Sequence, residues 1–262
     1  MMVRDHAETS IAVVPLGQAG FRLGCGDQVL YIDPYLSDQV EKVEGPHCRR
    51  LVPIWRSPDT VADADWVLVT HIHRDHCDLE TLLPLSRASP QCRFISPGEV
   101  CAHLLDHGVA ADRVLIIPET WLELAPGLRL HATPAAHPRI ETDAAGRWKY
   151  VGYVIEFAGR RIYHSGDTAL APLLFEHLNR LKPIDVAMLP VNEQNFYREQ
   201  LSIIGNMSLR DAFDFARDLG VSTLVPMHWD MFEPNRVYRE EIELYYRLTQ
   251  PSFQMRINPD RL

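Results

Sequence analysis

The sequence predicts an α/β fold in one domain, residues 1–262, with helices outside two sheets. A length of 262 residues and a hydrophobic content of 46% allow a large core, and α/β chains of this size commonly form a single domain. Short segments of β-branched and apolar residues between glycine-rich turns indicate strands. Longer segments with apolar residues at helical spacing, concentrated after Asp167, indicate helices that cover those strands.

The first part of the chain predicts antiparallel hairpins followed by a long loop. We expect short strands over about residues 10–14, 20–23 and 28–32. Residues 36–62 are irregular in pattern, with Pro46, Pro53 and Pro58 among mixed charges. Because a loop longer than about 15 residues in a compact domain is often functional or mobile, this segment is a candidate lid.

The rest of the chain predicts one more buried strand, a second sheet and the outer helices. The buried strand covers 66–70, and short helices follow over about 79–85 and 98–107. The second sheet is expected to contain strands at about 93–95, 114–117, 121–124, 128–132, 151–157 and 160–164. Later helices are expected over 170–181, 208–219 and about 236–248, with buried strands at 186–189 and 223–226. Ser208 and Asp211 have the spacing of a capping box.

The stretch from Thr70 to Asp78 concentrates imidazole and carboxylate groups directly after the predicted buried strand. Side chains alternate along an extended backbone, so His71 and His73 leave the strand end on the same side and can bind one ion. Asp75 and His76 face a different direction, and the spacing therefore suits two adjacent ions. Nitrogen and oxygen ligands together suit zinc, manganese or iron. The sequence thus predicts a metal site rather than a chance cluster of surface histidines.

This His-x-His-x-Asp-His pattern resembles the signature of the metallo-β-lactamase superfamily of hydrolases. The resemblance extends from about Ile11 to about Arg247, which is nearly the whole chain. It implies the αβ/βα four-layer sandwich of that superfamily, with two mixed sheets between outer helices. It also implies that the metal ions lie at the edge where the sheets meet.

The resemblance further implies a complete set of ligands for two divalent metal ions. The first ion would be held by His71, His73 and His137, the second by Asp75, His76 and His228, and Asp167 would bridge them. Such a pair of ions holds a bridging hydroxide near neutral pH, and Asp75, His76 and Asp167 are the expected catalytic residues. Zn²⁺ or Mn²⁺ is expected, whereas iron is less expected because the redox branch with this fold has a Glu in place of the second histidine.

Further residues are candidates for orienting the ligands through hydrogen bonds: Asp33, His164 and Asp230. In the resembling family an Asp at the position of Asp33 holds a metal-site histidine, although Asp-Pro is also a common turn opener. Ordinary packing is the alternative for the other two. His103 and His107 are spaced for one helix face, and we expect them to face solvent because no carboxylate or cysteine joins them.

The sequence allows three classes of function, which differ in substrate. Within the superfamily, the segments 163–167, 184–187 and 225–230 resemble the L-ascorbate-6-phosphate lactonase branch, which implies a small, anionic lactone or ester. Candidate substrate contacts are Arg139, Arg198 and Asn192, with Arg147, Lys149, Asn195 and Asn206 as further polar residues in the predicted loops. The alternatives are a metal-dependent phosphodiesterase and a non-catalytic metal-binding or sensing module.

Composition narrows the expected partners and location. A net charge of −9 argues against a nucleic-acid partner, so a small molecule is expected, and a homo-oligomer remains open. No window approaches the roughly 20 apolar residues of a membrane span, and the polar start of the chain carries no recognisable export signal. Five cysteines without paired spacing predict reduced thiols. We therefore expect a soluble, cytoplasmic protein.

Overall fold

A computed structural model of the protein describes residues 10–262, and the amino-terminal residues for which we expect no export signal lie outside them. The described strands form one sheet of six strands and one of seven. The first sheet contains, in spatial order, β1 (Ala12–Gly17), β2 (Gly20–Cys25), β3 (Gln28–Ile32), β4 (Trp66–Leu68), β5 (Arg93–Ser96) and β6 (Val114–Ile116). β1, β2 and β3 form the predicted antiparallel hairpins, whereas β3 to β6 run parallel.

The segment 36–62 is not a continuous irregular loop, and this part of the sequence prediction was wrong. It contains α1 (Gln39–Glu44) and short 3₁₀ turns at Pro46–Cys48 and Pro58–Thr60. Val40 of α1 packs with Tyr35 and Phe232 in a small buried cluster. Apolar packing of this kind ties the segment to the body of the protein.

β5 and β6 belong to the first sheet, although the sequence pattern assigned them to the second. Helices α2 (Leu79–Ala88) and α3 (Gly98–Asp106) connect β4 to β5 and β5 to β6. Strands joined through a helix return to the same sheet as parallel neighbours. Residue periodicity identifies a strand but does not identify its partner, which explains the error.

The second sheet follows the chain order from one edge to the other. Its strands are β7 (Leu122–Ala125), β8 (Leu128–Pro134), β9 (Val151–Phe157), β10 (Arg160–His164), β11 (Val186–Pro190), β12 (Thr223–Met227) and β13 (Gln254–Met255). β7 to β10 are antiparallel and β10 to β13 are parallel. β13 was not predicted, because two residues leave no alternation to detect.

Four helices follow β10. They are α4 (Pro172–Leu181), α5 (Phe196–Gln200), α6 (Leu209–Leu219) and α7 (Arg239–Thr249). The capping box predicted for α6 is present, with Ser208 Oγ accepting from the Asp211 amide at 3.0 Å. α5 was not predicted, since it is too short to show a helical period.

The elements stack in four layers, which confirms the predicted sandwich. Apolar side chains of the two sheets pack against each other in the centre, among them Leu30, Leu68 and Ile155. The outer face of the first sheet packs on α2 and α3, and the outer face of the second packs on α4, α6 and α7. Among the helices of residues 10–262, none has the length and apolar character that crossing a bilayer would require.

Candidate metal centre

The turn after β4 places a cluster of polar side chains where the two sheets meet. His73 O accepts hydrogen bonds from the amides of His76 and Cys77 at 3.0 and 2.7 Å, which reverses the chain within a few residues. Asp78 then caps α2 by accepting from the Glu80 amide at 3.0 Å. The turn is linked to the second sheet by a hydrogen bond from the Val151 amide to Thr70 O at 3.2 Å.

The later candidate ligands follow three strands of the second sheet: His137 comes after β8, Asp167 after β10 and His228 after β12. Gly166 makes the approach of Asp167 possible. Its φ is +60°, and a Cβ there would lie 2.7 Å from Val151 O and 3.0 Å from Thr70 Cβ. His228 also has a positive φ of 60°, and its amide donates to Gln18 O at 2.7 Å.

The structure brings all the predicted ligands together. Three overlapping sets of side chains have potential ligand atoms within 4.8 Å of one another. One is His71, His76 and Asp167, and we call the other two, which share no residue, the first group and the second group. The first group is His71, His73 and His137, and the second group is Asp75, His76 and His228. Asp167 lies between them, with its Oδ1 3.4 Å from His76 Nε2 and its Oδ2 3.1 Å from His228 Nε2 and 3.7 Å from His137 Nε2.

Two buried atoms in this cluster fit a cation. His76 Nε2 and Asp167 Oδ1, which lie 3.4 Å apart, have no hydrogen-bond partner among residues 10–262. A buried polar atom left unpaired costs about 1–3 kcal/mol, and a cation that both atoms can bind would offset this cost. Imidazole nitrogen and carboxylate oxygen form the donor set of zinc and manganese sites.

The electrostatics of the two groups differ. Burial lowers the pKa of His71 well below its usual value and that of His137 to about 4, so both imidazoles are neutral. Burial also disfavours charge on His76 and His228, but neighbouring carboxylates outweigh it, raising the pKa of His76 well above normal and that of His228 to about 9. His228 and His76 in turn hold the pKa of Asp167 well below its usual value despite its burial.

Asp33 and Thr70 orient histidines of both groups. Asp33 Oδ2 accepts from His76 Nδ1 at 2.7 Å, and Asp33 also accepts from the amide and hydroxyl of Thr70 at 2.8 and 2.7 Å. Because the hydroxyl donates to Asp33, its oxygen can accept from His71 Nδ1, 2.9 Å away. Both histidines therefore keep Nε2 directed at the cluster.

The other two predicted orienting residues make different contacts. Within residues 10–262, His164 forms no hydrogen bond to a candidate ligand, and its Nε2 donates instead to Ala19 O at 2.8 Å. Asp230 Oδ1 accepts from the backbone amide of Gln18 at 3.0 Å. It therefore stabilises the β1–β2 turn and does not orient an imidazole. His164 and Asp230 therefore form hydrogen bonds to backbone atoms near the site, and not to the candidate ligands.

Gln18 is a site residue that the sequence analysis missed. It is 4% exposed, lies in the β1–β2 turn with a φ of +56°, and its Nε2 donates to Asp75 Oδ2 at 2.7 Å. The same nitrogen lies 3.0 Å from His228 Nε2. A single glutamine in a hairpin carries no motif, and its partners are distant in the chain, so only the folded structure identifies it.

Amide side chains connect His228 to the segment after β11. The Asn235 amide lies 3.1 Å from His228 Nδ1, Asn192 contacts Asn235 at 2.9 Å, and Asn206 contacts Asn192 at 3.1 Å. Asn192 is fully buried. It therefore contacts Asn235, which in turn contacts His228, and it is not the substrate contact that the sequence analysis predicted.

A cavity of about 680 Å³ opens onto both groups. The described residues that line it include Gln18, His73, Asp75, His137, Asp167 and His228. His103, a partly exposed residue of α3, also lines the cavity. The described lining excludes Arg139, Arg198 and Asn192, as well as Arg147 and Lys149.

Three of the four basic residues expected to contact substrate pair with other groups, and the fourth, Arg139, is exposed. Arg198 lies on α5 rather than in a loop, is buried, and donates to backbone carbonyls of Glu193, Pro234 and Arg236. Arg147 pairs with Asp143 at 2.8 Å and Lys149 with Glu141 at 3.4 Å. The sequence shows that these residues are cationic, but it does not show what their charges meet.

Comparison with known proteins places this geometry in a family. The family profile described as "Beta-lactamase superfamily domain" matches residues 29–229, which contain every candidate ligand. The chain belongs to the metallo-β-lactamase superfamily. It is similar to a UPF0173 metal-dependent hydrolase of Pelotomaculum thermopropionicum, at 29% identity over 82% of each chain. A second UPF0173 metal-dependent hydrolase, from Methanoculleus marisnigri, is 29% identical over 92% of this chain and 90% of its own.

Solved structures confirm the metallo-β-lactamase fold. A metallo hydrolase from Ignicoccus hospitalis has a TM-score of 0.71 and 22% identity, covering 97% of this chain and 98% of its own. An isothiocyanate hydrolase from Delia radicum gut bacteria has a TM-score of 0.72 and 18% identity, covering 96% of both chains. The chain is thus a metal-dependent hydrolase with a histidine and aspartate metal site, and these matches do not single out the lactonase branch.

Proposed function

We propose that this metallo-β-lactamase-fold hydrolase uses two divalent cations to cleave a small ester or lactone. His71, His73 and His137 would hold the first ion, Asp75, His76 and His228 the second, and Asp167 both. The observation that carries the proposal is the position of Asp167, whose two oxygens lie 3.1 to 3.7 Å from histidine nitrogens of both groups. Zn²⁺ or Mn²⁺ suits this donor set.

The bound ions would lower the pKa of a shared water and polarise the oxygen of the scissile bond. The chain itself supplies orientation and charge balance. Asp33 and Thr70 hold His76 and His71 in one ring orientation, while Asp75 and Asp167 bring negative charge to a site of buried imidazoles. Fixed ligands of this kind raise metal affinity and activity by about 10- to 100-fold over unbraced ones.

The cavity supports a small-molecule substrate. Its volume of about 680 Å³ lies within the range typical of small-molecule sites, about 300–1,000 Å³. The preference for an anionic substrate that the sequence suggested loses the support of Arg139 and Arg198. Among the described residues, Arg74 is the one arginine or lysine in the lining, and its Nη1 lies 3.5 Å from Glu44 Oε1. An anionic preference therefore rests on Arg74 alone.

The test combines metal analysis with a substrate panel. Protein purified without added metal should contain about two ions per chain, and it should hydrolyse members of a panel of aryl esters and lactones faster than phosphodiesters. His73→Ala should lose this activity, whereas His107→Ala, a change at an exposed histidine of α3's carboxyl end, should keep it. Faster turnover of phosphodiesters would favour the phosphodiesterase alternative, and two bound ions without any turnover would favour a sensing module.

A further inference from the structure

The segment after β11 forms an apolar wall of the cavity. We call residues 196–204 the flap, which consists of α5 and the turn that follows it. Leu201, Ile203 and Ile204 of the flap line the cavity, and Leu201 is 55% exposed and Ile204 36% exposed. Phe232 and Val40, both buried in a small cluster, line it as well. Large apolar side chains left open to water around a cavity mark a surface that a ligand covers.

The flap is held by its own anchor. The buried guanidinium of Arg198 donates to Pro234 O at 3.3 Å, to Arg236 O at 3.2 Å and to Glu193 O. The Ile203 amide donates to Arg198 O at 2.9 Å, which closes the turn that presents the apolar side chains. The apolar side chains of the flap are therefore exposed on a backbone that is fixed by hydrogen bonds.

The flap and the metal centre share one cavity, and a hydrogen-bond network connects the segment just beyond the flap to the metal centre. Asp167 and His228 line the same cavity as Leu201 and Ile204. Asn206 lies two residues beyond the flap and contacts Asn192 at 3.1 Å. Asn192 contacts Asn235 at 2.9 Å, and Asn235 contacts His228 at 3.1 Å. A molecule with its reactive bond at the metal centre can thus place its remaining atoms beside the flap.

The charges of the cavity favour an apolar group on the flap side. Arg74 and Glu44, two charged side chains of the lining outside the metal centre, lie near each other at 3.5 Å on the turn after β4 and on α1. The flap contributes Leu201, Ser202, Ile203 and Ile204, which carry no charge. Apolar atoms placed there would remove water from exposed leucine and isoleucine surface.

We infer that the flap is the subsite for an apolar acyl group, so the substrates of this hydrolase are esters or lactones with an aliphatic chain on the carbonyl. This inference rests on the proposed function for the identity of the bond that is cleaved. The acyl carbonyl lies at the metal centre, and the chain extends along Leu201, Ile203 and Ile204. Specificity for chain length then comes from the flap, whereas the bond broken is decided by the metal centre.

Binding of carboxylates to the metal-loaded protein tests the subsite without relying on turnover. Acetate and octanoate carry the same headgroup, so the ratio of their dissociation constants reports the aliphatic chain. Each buried methylene strengthens binding by about fourfold at most, and partial burial of the chain should make octanoate at least about tenfold tighter than acetate by titration calorimetry. The paired substitution Leu201→Ser with Ile204→Ser should reduce that ratio to about threefold or less.

A matched control separates the flap from a general loss of apolar surface. Leu244 and Leu248 are exposed on α7, outside the lining of the cavity, at 45% and 72%. Leu244→Ser with Leu248→Ser should leave the octanoate to acetate ratio unchanged. A fall in the ratio in this control, or equal affinities of native protein for the two carboxylates, overturns the inference.

Turnover distinguishes this inference from the proposed function. With p-nitrophenyl acetate, butyrate and octanoate, kcat/KM should rise with chain length in the native protein and stay nearly flat in the flap variant. Hydrolysis at equal kcat/KM for all three esters would support the proposed function and overturn the subsite. Tight binding of octanoate that depends on the flap, without hydrolysis of any ester, would support the subsite and overturn the proposed function.

Discussion

The first group consists of three histidines, whereas the second contains one aspartate and two histidines, and the two groups are also supported differently. Two histidines of the first group are neutral because burial lowers the pKa of His71 and His137, and His137 Nδ1 has no hydrogen-bond partner among residues 10–262. In the second group His76 is bonded to Asp33, His228 contacts Asn235, and Asp75 accepts from Gln18. The second group is therefore braced on every member, whereas the first is braced mainly through His71 and Thr70.

This difference predicts how each group treats its ion. A site with ligands already fixed loses little conformational entropy when the ion binds, so the second group should keep its geometry with or without the metal. The first group has the half-buried His73 beside the cavity, and it should be the more adaptable and more solvent-accessible half. The following substitutions test this contrast, beginning with the one that affects both groups.

Asp167→Asn should have the largest effect, because it removes the negative charge that lies between the two groups. Loss of an orienting partner alone costs about 10- to 100-fold in affinity or activity, and loss of a shared ligand should exceed about a hundredfold in kcat/KM. Metal content should fall below two ions per chain by elemental analysis. Circular dichroism should show a retained fold, and native-like turnover by this variant would remove Asp167 from the site.

His73→Ala should separate the groups. It removes one nitrogen ligand of the first group and leaves the Asp75, His76 and His228 cluster intact. We expect about one tightly bound ion per chain, with activity lost and the melting temperature nearly unchanged, since His73 lies in a turn rather than in the core. His76→Ala is the counterpart, and it should also lower stability because it removes one of the hydrogen bonds that the buried Asp33 carboxylate accepts. Equal effects of the two variants on stability would contradict the proposed contrast.

Gln18→Ala tests whether bracing sets the affinity of the second group. Removing the amide that donates to Asp75 Oδ2 should weaken the binding of one ion by about tenfold in a metal titration and leave the other unchanged. Gln28→Ala, at the first residue of β3, is the control. Because the amide also lies 3.0 Å from His228 Nε2, tighter metal binding in Gln18→Ala would mean that it competes with the ion instead of orienting its ligand.

The sequence predicted the ligands well and their supports poorly, for a physical reason. Strands that end at one edge of a sheet bring their next residues together, so His71 and Asp167 could be placed from a motif and a strand end. The supports depend on contacts between turns far apart in the chain, such as Gln18 with Asp75 and His228. Asp33 is an exception, because its place at the end of β3 has a counterpart in the resembling family.

The same reason explains the errors in the fold and in the substrate residues. β5 and β6 were recognised as strands but assigned to the wrong sheet, since pairing is a property of the connection and not of the strand. Arg198 was predicted as a substrate contact in a loop, but its guanidinium is buried among backbone carbonyls. A charge in a sequence indicates that a partner is needed, and only the fold decides whether that partner is substrate, water or the chain itself.

The smallest expected effect concerns Arg74, which lies in the turn between His73 of the first group and Asp75 of the second. Its side chain is 52% exposed and lies 3.5 Å from Glu44, so its charge is partly compensated and screened by solvent. Contacts of this kind are worth about 0.2–1 kcal/mol, which corresponds to about a one-and-a-half- to fivefold preference for an anionic over a matched neutral ester in kcat/KM at low ionic strength. Arg74→Ala should abolish that preference and added salt should reduce it, whereas Arg139→Ala, an exposed change outside the cavity lining, should leave it unchanged. A preference that disappears in Arg139→Ala instead would show that the anionic end of the substrate extends beyond the cavity, towards the turn that follows His137.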